Sequence, residues 1–247
     1  MKAMVLAAGR GQRLLALTEK IPKALVPVAG RPMIEYPLLL LRHYGIREII
    51  VNLHHFGQQI ENYLGDGSKL GLRISYSKES ELLDTGGGLL KAKSFLDKET
   101  FIVINTDVLI DLPLADLVTF HHHNKATASL VLRPDPLADQ YGSMEIDSAG
   151  RIYRFLQARR KDTPSSTTKL MFTGVQVLEP RVFDYMKLDG VTEKFSTTQD
   201  VYPAMLIQDE ALYGYRFDGI WHDLGTSERI KNVEESLAAG KAKPHYL

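Results

Sequence analysis

Residues 1–13 read MKAMVLAAGRGQR, and this stretch decides the fold class. Residues 1–8 are mainly apolar and predict a buried strand, and the loop that follows combines two glycines with two arginines. Ligands of an open α/β sheet bind beyond the carboxyl ends of its strands. Because Gly9 and Gly11 let a backbone approach phosphates closely and Arg13 offers them a guanidinium, the loop predicts a phosphate site.

Lys23, which follows Pro22, is a second candidate cation for phosphate. The loop differs from the dinucleotide-binding fingerprint because Leu14 stands where the third glycine would be, and it is not a Walker A loop either. Taken alone, the loop is explained equally well as an ordinary turn between a strand and a helix that carries two surface cations.

Strand-like and helix-like segments alternate through the first half of the chain. Strands are predicted at Glu48–Leu53, Leu72–Tyr76 and Thr100–Ile104, and helices at Met33–Tyr44, Gly57–Leu64 and Leu89–Phe95. This alternation predicts an α/β fold with a mostly parallel sheet and helices on both faces.

The second half of the chain has a different pattern. Met144–Phe155 predicts two strands around a turn, and the polar stretch Arg159–Lys169 predicts a mobile loop. A closing helix is predicted over Ser227–Ala239, capped by Thr226 or by Ser227 itself. We find no linker and no repeat, so we predict one domain.

Composition excludes several classes of protein. The 247 residues hold 30 Lys and Arg against 30 Asp and Glu, and this balance gives no reason to expect nucleic acid or a membrane as partner. The absence of cysteine excludes disulfides, thiolate metal sites and a cysteine nucleophile. No apolar run reaches spanning length and the first residues do not form a signal peptide, so we expect a cytoplasmic protein.

Four segments together resemble the sugar-1-phosphate nucleotidyltransferases, also called nucleotide-sugar pyrophosphorylases. They are LAAGRGQRL (6–14), PKALVPVAGRPMIEY (22–36), GQQIENYLGDGSKLGLRISYSKESELLDTGGGLLKA (57–92) and WHDLGTSERI (221–230). The third segment is similar to the branch that contains N-acetylmuramate 1-phosphate uridylyltransferases and mannose-1-phosphate guanylyltransferases. Gln12 departs from the family's usual threonine, which could alter one phosphate contact.

The resemblance implies a Rossmann-like, glycosyltransferase-A-like fold, namely one α/β domain with a mixed, mostly parallel sheet. A nucleotide-binding part is then expected at about residues 1–125 and a sugar-binding part at about 126–226, followed by the closing helix at 227–239.

The resemblance also implies roles for individual residues. Arg13 and Lys23 match the residues that hold the triphosphate, and Asp107 and Asp223 match the pair that holds Mg²⁺; these four are the predicted catalytic residues. Glu79 lies near the position that reads the base edge. The predicted nucleotide-binding residues are Leu6, Ala7, Ala8, Gly9, Arg10, Gly11, Gln12, Glu79, Thr85, Gly86 and Gly87. The predicted sugar-binding residues are Asn105, Gly142, Thr173 and Gly174.

The two aspartates also allow simpler interpretations. Each could be a turn or cap residue, and Thr106 precedes Asp107 where the family usually has glycine, which could narrow the site. Mg²⁺ prefers few carboxylates together with water and substrate phosphates, so two aspartates from distant parts of the chain would suit it.

The sugar side of the site is less well defined by sequence. Tyr141-Gly142 and Phe172–Val175 resemble family segments that hold sugar hydroxyls, and either could instead be a plain turn or strand. Many relatives carry a lysine that holds the sugar phosphate, and this chain lacks that lysine. Arg159, Arg160 or Lys169 could replace it, or these could be solvated charges on a loop.

Two other polar stretches are interpreted as structural. Residues 121–123, three consecutive histidines, point in different directions on a helix and make a poor chelate, so we take them as an exposed helix end. Ser196–Asp200 is interpreted as a capping segment for the helix that follows.

The implied reaction joins a nucleoside triphosphate to a sugar 1-phosphate. A phosphate oxygen of the sugar attacks the α-phosphate in line, and pyrophosphate leaves; positioning and electrostatic stabilisation dominate, and no general base is needed. The resemblance favours UTP and GTP over dTTP as the nucleotide and leaves the sugar undetermined. The product is expected to be a precursor of the cell wall or of a polysaccharide. The protein could form a homo-oligomer. The alternatives are a catalytically silent regulatory subunit that binds nucleotide sugars and a transferase with a non-sugar acceptor such as phosphocholine.

Overall fold

The computed structural model describes residues 1–136, 138, 142–162, 164–186 and 194–247. They form two compact units. The first unit contains Met1–Leu82, Ile104–Leu112 and Gly219–Leu247, and the second contains Leu83–Val103 and Pro113–Asp218.

The first unit is built on three parallel strands, with β1 paired to β4 and β4 paired to β5. Its strands are β1 (Lys2–Leu6), β2 (Pro27–Val28), β3 (Arg31–Pro32), β4 (Glu48–Leu53), β5 (Arg73–Lys78), the end of β6 (Phe101–Asn105), β7 (Val108–Ile110) and β14 (Trp221–Asp223). Its helices are α1 (Glu35–His43), α2 (Gly57–Leu64) and α7 (Ser227–Ala238), and short 3₁₀ helices cover Gln12–Thr18, Lys23–Leu25 and Ser68–Leu70.

The elements of the first unit follow from their apolar patterns. In β4, every residue from Ile49 to Leu53 is buried, as expected for a strand inside a parallel sheet. Helix α2 buries Ile60 and Leu64, which lie one turn apart on the same face.

An apolar cluster of the first unit lies directly beside the predicted catalytic residues. Leu14, Leu109, Leu224 and Ile230 are buried in it, together with Val26, Val28, Met33, Tyr36 and Val233. Leu14 and Leu224 are the chain neighbours of Arg13 and Asp223. Burying these neighbours fixes the backbone from which the charged side chains project.

The second unit carries a mixed sheet. Strand β8 pairs parallel with β13 and antiparallel with β12, and β12, β9, β10 and β11 follow one another in antiparallel pairs. These strands are β8 (Ala128–Arg133), β9 (Met144–Ile146), β10 (Ile152–Phe155), β11 (Ala158–Arg159), β12 (Thr168–Leu178) and β13 (Leu212–Arg216). Its helices are α3 (Asp84–Lys91), α4 (Lys93–Leu96), α5 (Leu114–His123) and α6 (Tyr202–Ile207), with a 3₁₀ helix at Pro180–Tyr185 and a π-helix at Thr197–Val201.

The predicted α/β fold with a mixed sheet is confirmed, and the strand at Glu48–Leu53 and the helix at Gly57–Leu64 have the predicted bounds. The loop predicted over Arg159–Lys169 is different: Arg159 lies in β11, Arg160 is buried, and β12 begins at Thr168. The single domain that the sequence predicts stays a prediction. Among the described residues, no helix has the length and apolar character needed to cross a membrane.

Candidate active site

The loop predicted to bind phosphate leaves the end of β1. The backbone oxygen of Leu6 accepts hydrogen bonds from the amide and the hydroxyl of Thr106, at 3.2 Å and 2.5 Å. Thr106, the residue before Asp107, is therefore bonded to the start of the loop. Ala7 is buried, and Gly9 and Arg10 are exposed.

Gly11 sets the path of the loop into the 3₁₀ helix at Gln12–Thr18. Its φ is +67°, a left-handed conformation that favours glycine. A Cβ atom there would lie 2.9 Å from Cβ of Lys23 and 3.0 Å from Cγ2 of Thr18. The loop and the segment around Lys23 are therefore packed so closely that no side chain fits between them.

A short antiparallel ladder brings the two predicted metal ligands together. In the β7/β14 pair, Asp223 lies opposite Val108, and the amide of Leu224 donates to the backbone oxygen of Asp107 at 2.9 Å. Asp107 immediately precedes β7 and Asp223 ends β14, so their backbones lie side by side although the two residues are 116 positions apart in the chain.

Each of these carboxylates has a cation of its own. Nζ of Lys23 donates to Oδ2 of Asp107, and Nη1 of Arg229 donates to Oδ2 of Asp223. The side chains of both aspartates are about one-fifth exposed. The amide of Gly225 donates to the other oxygen of Asp223 at 2.5 Å.

Gly225 also brings Arg13 to Asp223. A Cβ atom at Gly225 would lie 2.6 Å from Oδ1 of Asp223 and 2.7 Å from Nη2 of Arg13, so both side chains close around this glycine. A cleft of about 430 Å³ opens here. It is lined by Arg10, Gly11, Gln12, Arg13, Lys23, Leu82 and Gly225. Three cations and a glycine loop in one cleft suit a polyphosphate.

Glu79 is held by a residue that the sequence did not single out. Its carboxylate accepts from Nδ2 of Asn52 at 2.7 Å, and the amide of Ala7 donates to Oδ1 of Asn52 at 2.7 Å. Asn52 is buried at the end of β4 and so links the loop after β1 to the end of β5. A polar residue inside the apolar run EIIVNL is the signal that could have found it.

The remaining predicted nucleotide-binding residues lie in the second unit, at the start of α3. Gly86 packs against Phe195: a Cβ atom at Gly86 would lie 2.3 Å from the Phe195 ring, and the amides of Gly86 and Gly87 donate to the Phe195 oxygen at 2.9 and 3.2 Å. The hydroxyl of Thr85 accepts from the amide of Thr197 at 2.9 Å.

The predicted sugar-binding residues are divided between the units. Asn105 ends β6 in the first unit, and Gly142, Thr173 and Gly174 belong to the second. The hydroxyl of Thr173 donates to the backbone oxygen of Val131 at 2.9 Å, and Gly174 has a φ of +88° where the register of β12 and β8 shifts. Tyr141 lies outside the described residues.

Arg160 differs from both interpretations that the sequence allowed. It is neither a solvated charge nor placed to receive a sugar phosphate, because it is only 4% exposed. Its guanidinium donates to the backbone oxygens of Ile152 and Glu210 and to the carboxylate of Asp209. Burial lowers the pKa of Arg160. Arg159 and Lys169 are exposed.

The three consecutive histidines at 121–123, interpreted from the sequence as an exposed helix end, are only partly exposed. His121 is fully buried, with Nδ1 2.9 Å from the Ser129 hydroxyl and Nε2 3.1 Å from Oε1 of Glu179. His122 and His123 are exposed. The predicted capping segment Ser196–Asp200 is only partly a cap: Ser196 caps the π-helix by accepting from the amide of Gln199, and residues 197–200 belong to that helix.

Comparison with known proteins identifies the family. The nucleotidyl transferase family model matches residues 2–240. The chain belongs to this family.

Named relatives of this nucleotidyltransferase act on sugar phosphates. The N-acetylmuramate alpha-1-phosphate uridylyltransferase of Neisseria meningitidis serogroup B is 33% identical, over 98% of this chain and 100% of its own length. The mannose-1-phosphate guanylyltransferase of Mycobacterium tuberculosis is 35% identical over 97% of this chain, which spans only 65% of that protein. The solved structure of HddC from Yersinia pseudotuberculosis complexed with GMP-PN has the same fold, with a TM-score of 0.76 and 22% identity over 96% of this chain and 99% of HddC.

Nucleotidyltransferases generally use a divalent metal ion, and the acid pair of this one fits such an ion. Asp107 and Asp223 supply hard oxygen donors from neighbouring stretches of backbone, and a cleft lined by Arg10, Arg13 and Lys23 adjoins Gly225. Within the described part of the chain, no group of three or more His, Cys, Asp or Glu residues could hold a metal. An ion at this pair would therefore take its remaining ligands from phosphates and water.

Proposed function

We propose that the protein transfers a nucleotidyl group from a nucleoside triphosphate to a sugar 1-phosphate and releases pyrophosphate. Membership of the nucleotidyltransferase family supports the reaction class, and the sugar 1-phosphates named for its relatives support the acceptor. The observation that carries the proposal is the cleft of the first unit, where Arg13 and Lys23 each stand beside one aspartate of the acid pair.

In the proposed reaction, an oxygen of the sugar phosphate forms a bond to the α-phosphorus of the triphosphate. The bond from that phosphorus to the bridging oxygen of the β-phosphate breaks, and pyrophosphate leaves with the electron pair. The attacking oxygen is already anionic at neutral pH, so no residue needs to remove a proton. The protein has to align the two phosphates and offset their charge.

Each polar group of the cleft has a part in this alignment. Arg13 and Lys23 offset the charge of the triphosphate, and the loop around Gly11 brings backbone amides close to its oxygens. Asp107 and Asp223 would hold Mg²⁺, which when bound neutralises phosphate charge and polarises the α-phosphate. Lys23 bonds to Asp107 and also lines the cleft, so it is within reach of the site where the triphosphate would bind.

For the base of the nucleoside triphosphate we propose two candidates. UTP and GTP are the favoured donors, because the relatives named above are a uridylyltransferase and a guanylyltransferase. The base and sugar contacts assigned to Glu79, Thr85, Asn105 and Thr173 remain predictions. A homo-oligomeric state and a cytoplasmic location also remain predictions.

The test is pyrophosphate release with Mg²⁺, measured over a grid of nucleoside triphosphates against sugar 1-phosphates. The nucleotides should include UTP, GTP, dTTP, CTP and ATP, and the sugars should include N-acetylmuramate, glucose, mannose and heptose phosphates, with phosphocholine as a non-sugar acceptor. Release that needs both substrates supports the proposal. Folded protein that binds a nucleotide yet releases no pyrophosphate with any pair would contradict it and favour a regulatory subunit.

A further inference from the structure

Arg229 occupies a position in its helix that arginine does not usually favour. Helix α7 is capped by Thr226, whose hydroxyl accepts from the Arg229 amide at 3.3 Å, so Arg229 is the third residue of the helix. Glutamate or glutamine is favoured there because it can complete a capping box. A cation is also disfavoured in the first turn by the helix dipole. A residue that is unfavourable for the helix it lies in is expected to have a functional role outside that helix.

The side chain of Arg229 turns back from the helix to the acid pair. Its Nη1 donates to Oδ2 of Asp223, and the Gly225 amide donates to Oδ1 of the same carboxylate. The next residue, Ile230, is buried in the apolar cluster of the first unit, which anchors the turn that carries Arg229. Both oxygens of Asp223 are therefore bonded to groups from the segment that follows it.

We propose that Arg229 is a positioning residue that holds Asp223 in place and, as its counter-ion, limits how tightly Asp223 binds a divalent cation. This inference rests on the proposed function, since it takes Asp223 as a metal ligand. An arginine on a carboxylate oxygen lowers the attraction of that oxygen for a second cation. A metal ion must therefore displace the guanidinium or share the carboxylate with it.

The charges of Asp107 and Asp223 are thus balanced by two different side chains. Lys23 is a single ammonium beside Asp107, within reach of the cleft that would receive the triphosphate. Arg229 comes from an anchored helix and is not among the described residues that line that cleft. Arg229 therefore acts on the affinity of the Asp223 carboxylate for the ion.

The experiment measures Mn²⁺ binding without nucleotide, by the paramagnetic resonance signal of free Mn²⁺. In Arg229→Gln the charge is lost while the Gly225 amide still orients Asp223, so Mn²⁺ should bind about three- to tenfold more tightly. Arg229→Lys, which keeps the charge, should stay within about twofold of the unchanged protein. Lys231→Gln is the matched control, because it removes a cation from the same helix at a side chain that is 77% exposed.

Two further variants keep the test decisive. Asp223→Asn added to Arg229→Gln should remove the gain in Mn²⁺ affinity, and Arg229→Met provides the same test if the glutamine variant has a lowered melting temperature. Unchanged or weaker Mn²⁺ binding in both Arg229→Gln and Arg229→Met overturns the inference. Pyrophosphate release is scored separately: if the unchanged protein shows activity while Arg229→Gln shows no gain in affinity, only the role of Arg229 fails. A gain in affinity without pyrophosphate release from any substrate pair would leave that role standing and contradict the proposed reaction.

Discussion

The amide of Leu224 donates a 2.9 Å hydrogen bond to the backbone oxygen of Asp107. This bond extends the β7/β14 ladder by one residue, and it fixes the backbone on both sides of the acid pair. The aspartates are therefore aligned by main-chain pairing, and substitution of their side chains should leave the ladder intact. This makes them suitable for tests that separate activity from folding.

Asp107→Asn and Asp223→Asn should each lower turnover by about 10²–10³-fold, because each removes a negative charge that would hold the proposed metal ion against the reacting phosphates. Steady-state pyrophosphate release measures the effect, and thermal melting checks the fold. Asp218→Asn is the control, since Asp218 is an exposed carboxylate paired with Arg216. Activity within a few fold of normal in either site variant rules out the metal assignment.

Lys23→Gln should raise the KM for the triphosphate by about tenfold or more and change the KM for the sugar phosphate less, because the proposed charge-assisted contact to phosphate would be lost. Initial-rate measurements with each substrate varied in turn make the comparison. Lys20→Gln removes a neighbouring exposed lysine and should leave both constants unchanged. Equal increases in the two constants would show that Lys23 does not act on the triphosphate alone.

Gly225→Ala should reduce kcat/KM by about ten- to a hundredfold, because small displacements of aligned groups cost this much. The new methyl would meet Oδ1 of Asp223 at 2.6 Å and Nη2 of Arg13 at 2.7 Å. Ser227→Ala, an exposed change two residues later, serves as the control. An alanine variant with full activity would mean that Arg13 and Asp223 need not stay where they lie around this glycine.

Arg160→Met should lower the free energy of unfolding by about 2–3 kcal/mol, because it removes a buried group bonded to Asp209 and to two backbone oxygens. Its KM for the sugar phosphate should not change. Urea denaturation and initial rates provide the two readouts, with the exposed Arg159→Gln as control. A raised KM with normal stability would instead assign Arg160 to the substrate.

His121 should make the protein less stable in mild acid. Burial lowers the pKa of His121 below its ordinary value of 6.5, and the hydrogen bond to Glu179 opposes this only in part. The unfolded chain therefore takes up a proton first as the pH falls through 6.5, and stability present above that pH is lost below it. The urea midpoint should fall between pH 7.5 and 5.5 by more than it does in His121→Gln. His122→Gln, an exposed neighbour, should keep the full pH dependence, and equal slopes in all three proteins would contradict the assignment.

Local patterns predicted the parts of the fold that depend on local burial. The apolar run at Glu48–Leu53 and the amphipathic segment at Gly57–Leu64 have the predicted bounds, because their own side chains determine which face is buried. The alternation of strand-like and helix-like segments predicted the α/β fold, and longer motifs predicted the family, which the family comparison confirms.

The features that local patterns did not predict depend on distant contacts. Residues 108–110 and 221–223 are too short to be recognised as strands, and only their pairing with each other makes them so. The partners of Arg160 and Arg229 were missed for a related reason: a charged residue in a polar stretch looks solvated until its distant partner is known.

The way the first unit is assembled also has a consequence for biosynthesis. Its three segments end with Gly219–Leu247, which supplies the second strand of the β7/β14 ladder. A nascent chain that has left the ribosome only as far as residue 218 has all the segments of the second unit, but it cannot pair β7 or form the acid pair. Nucleotide chemistry at the proposed site should therefore begin only after Trp221–Asp223 has left the ribosome and paired with β7.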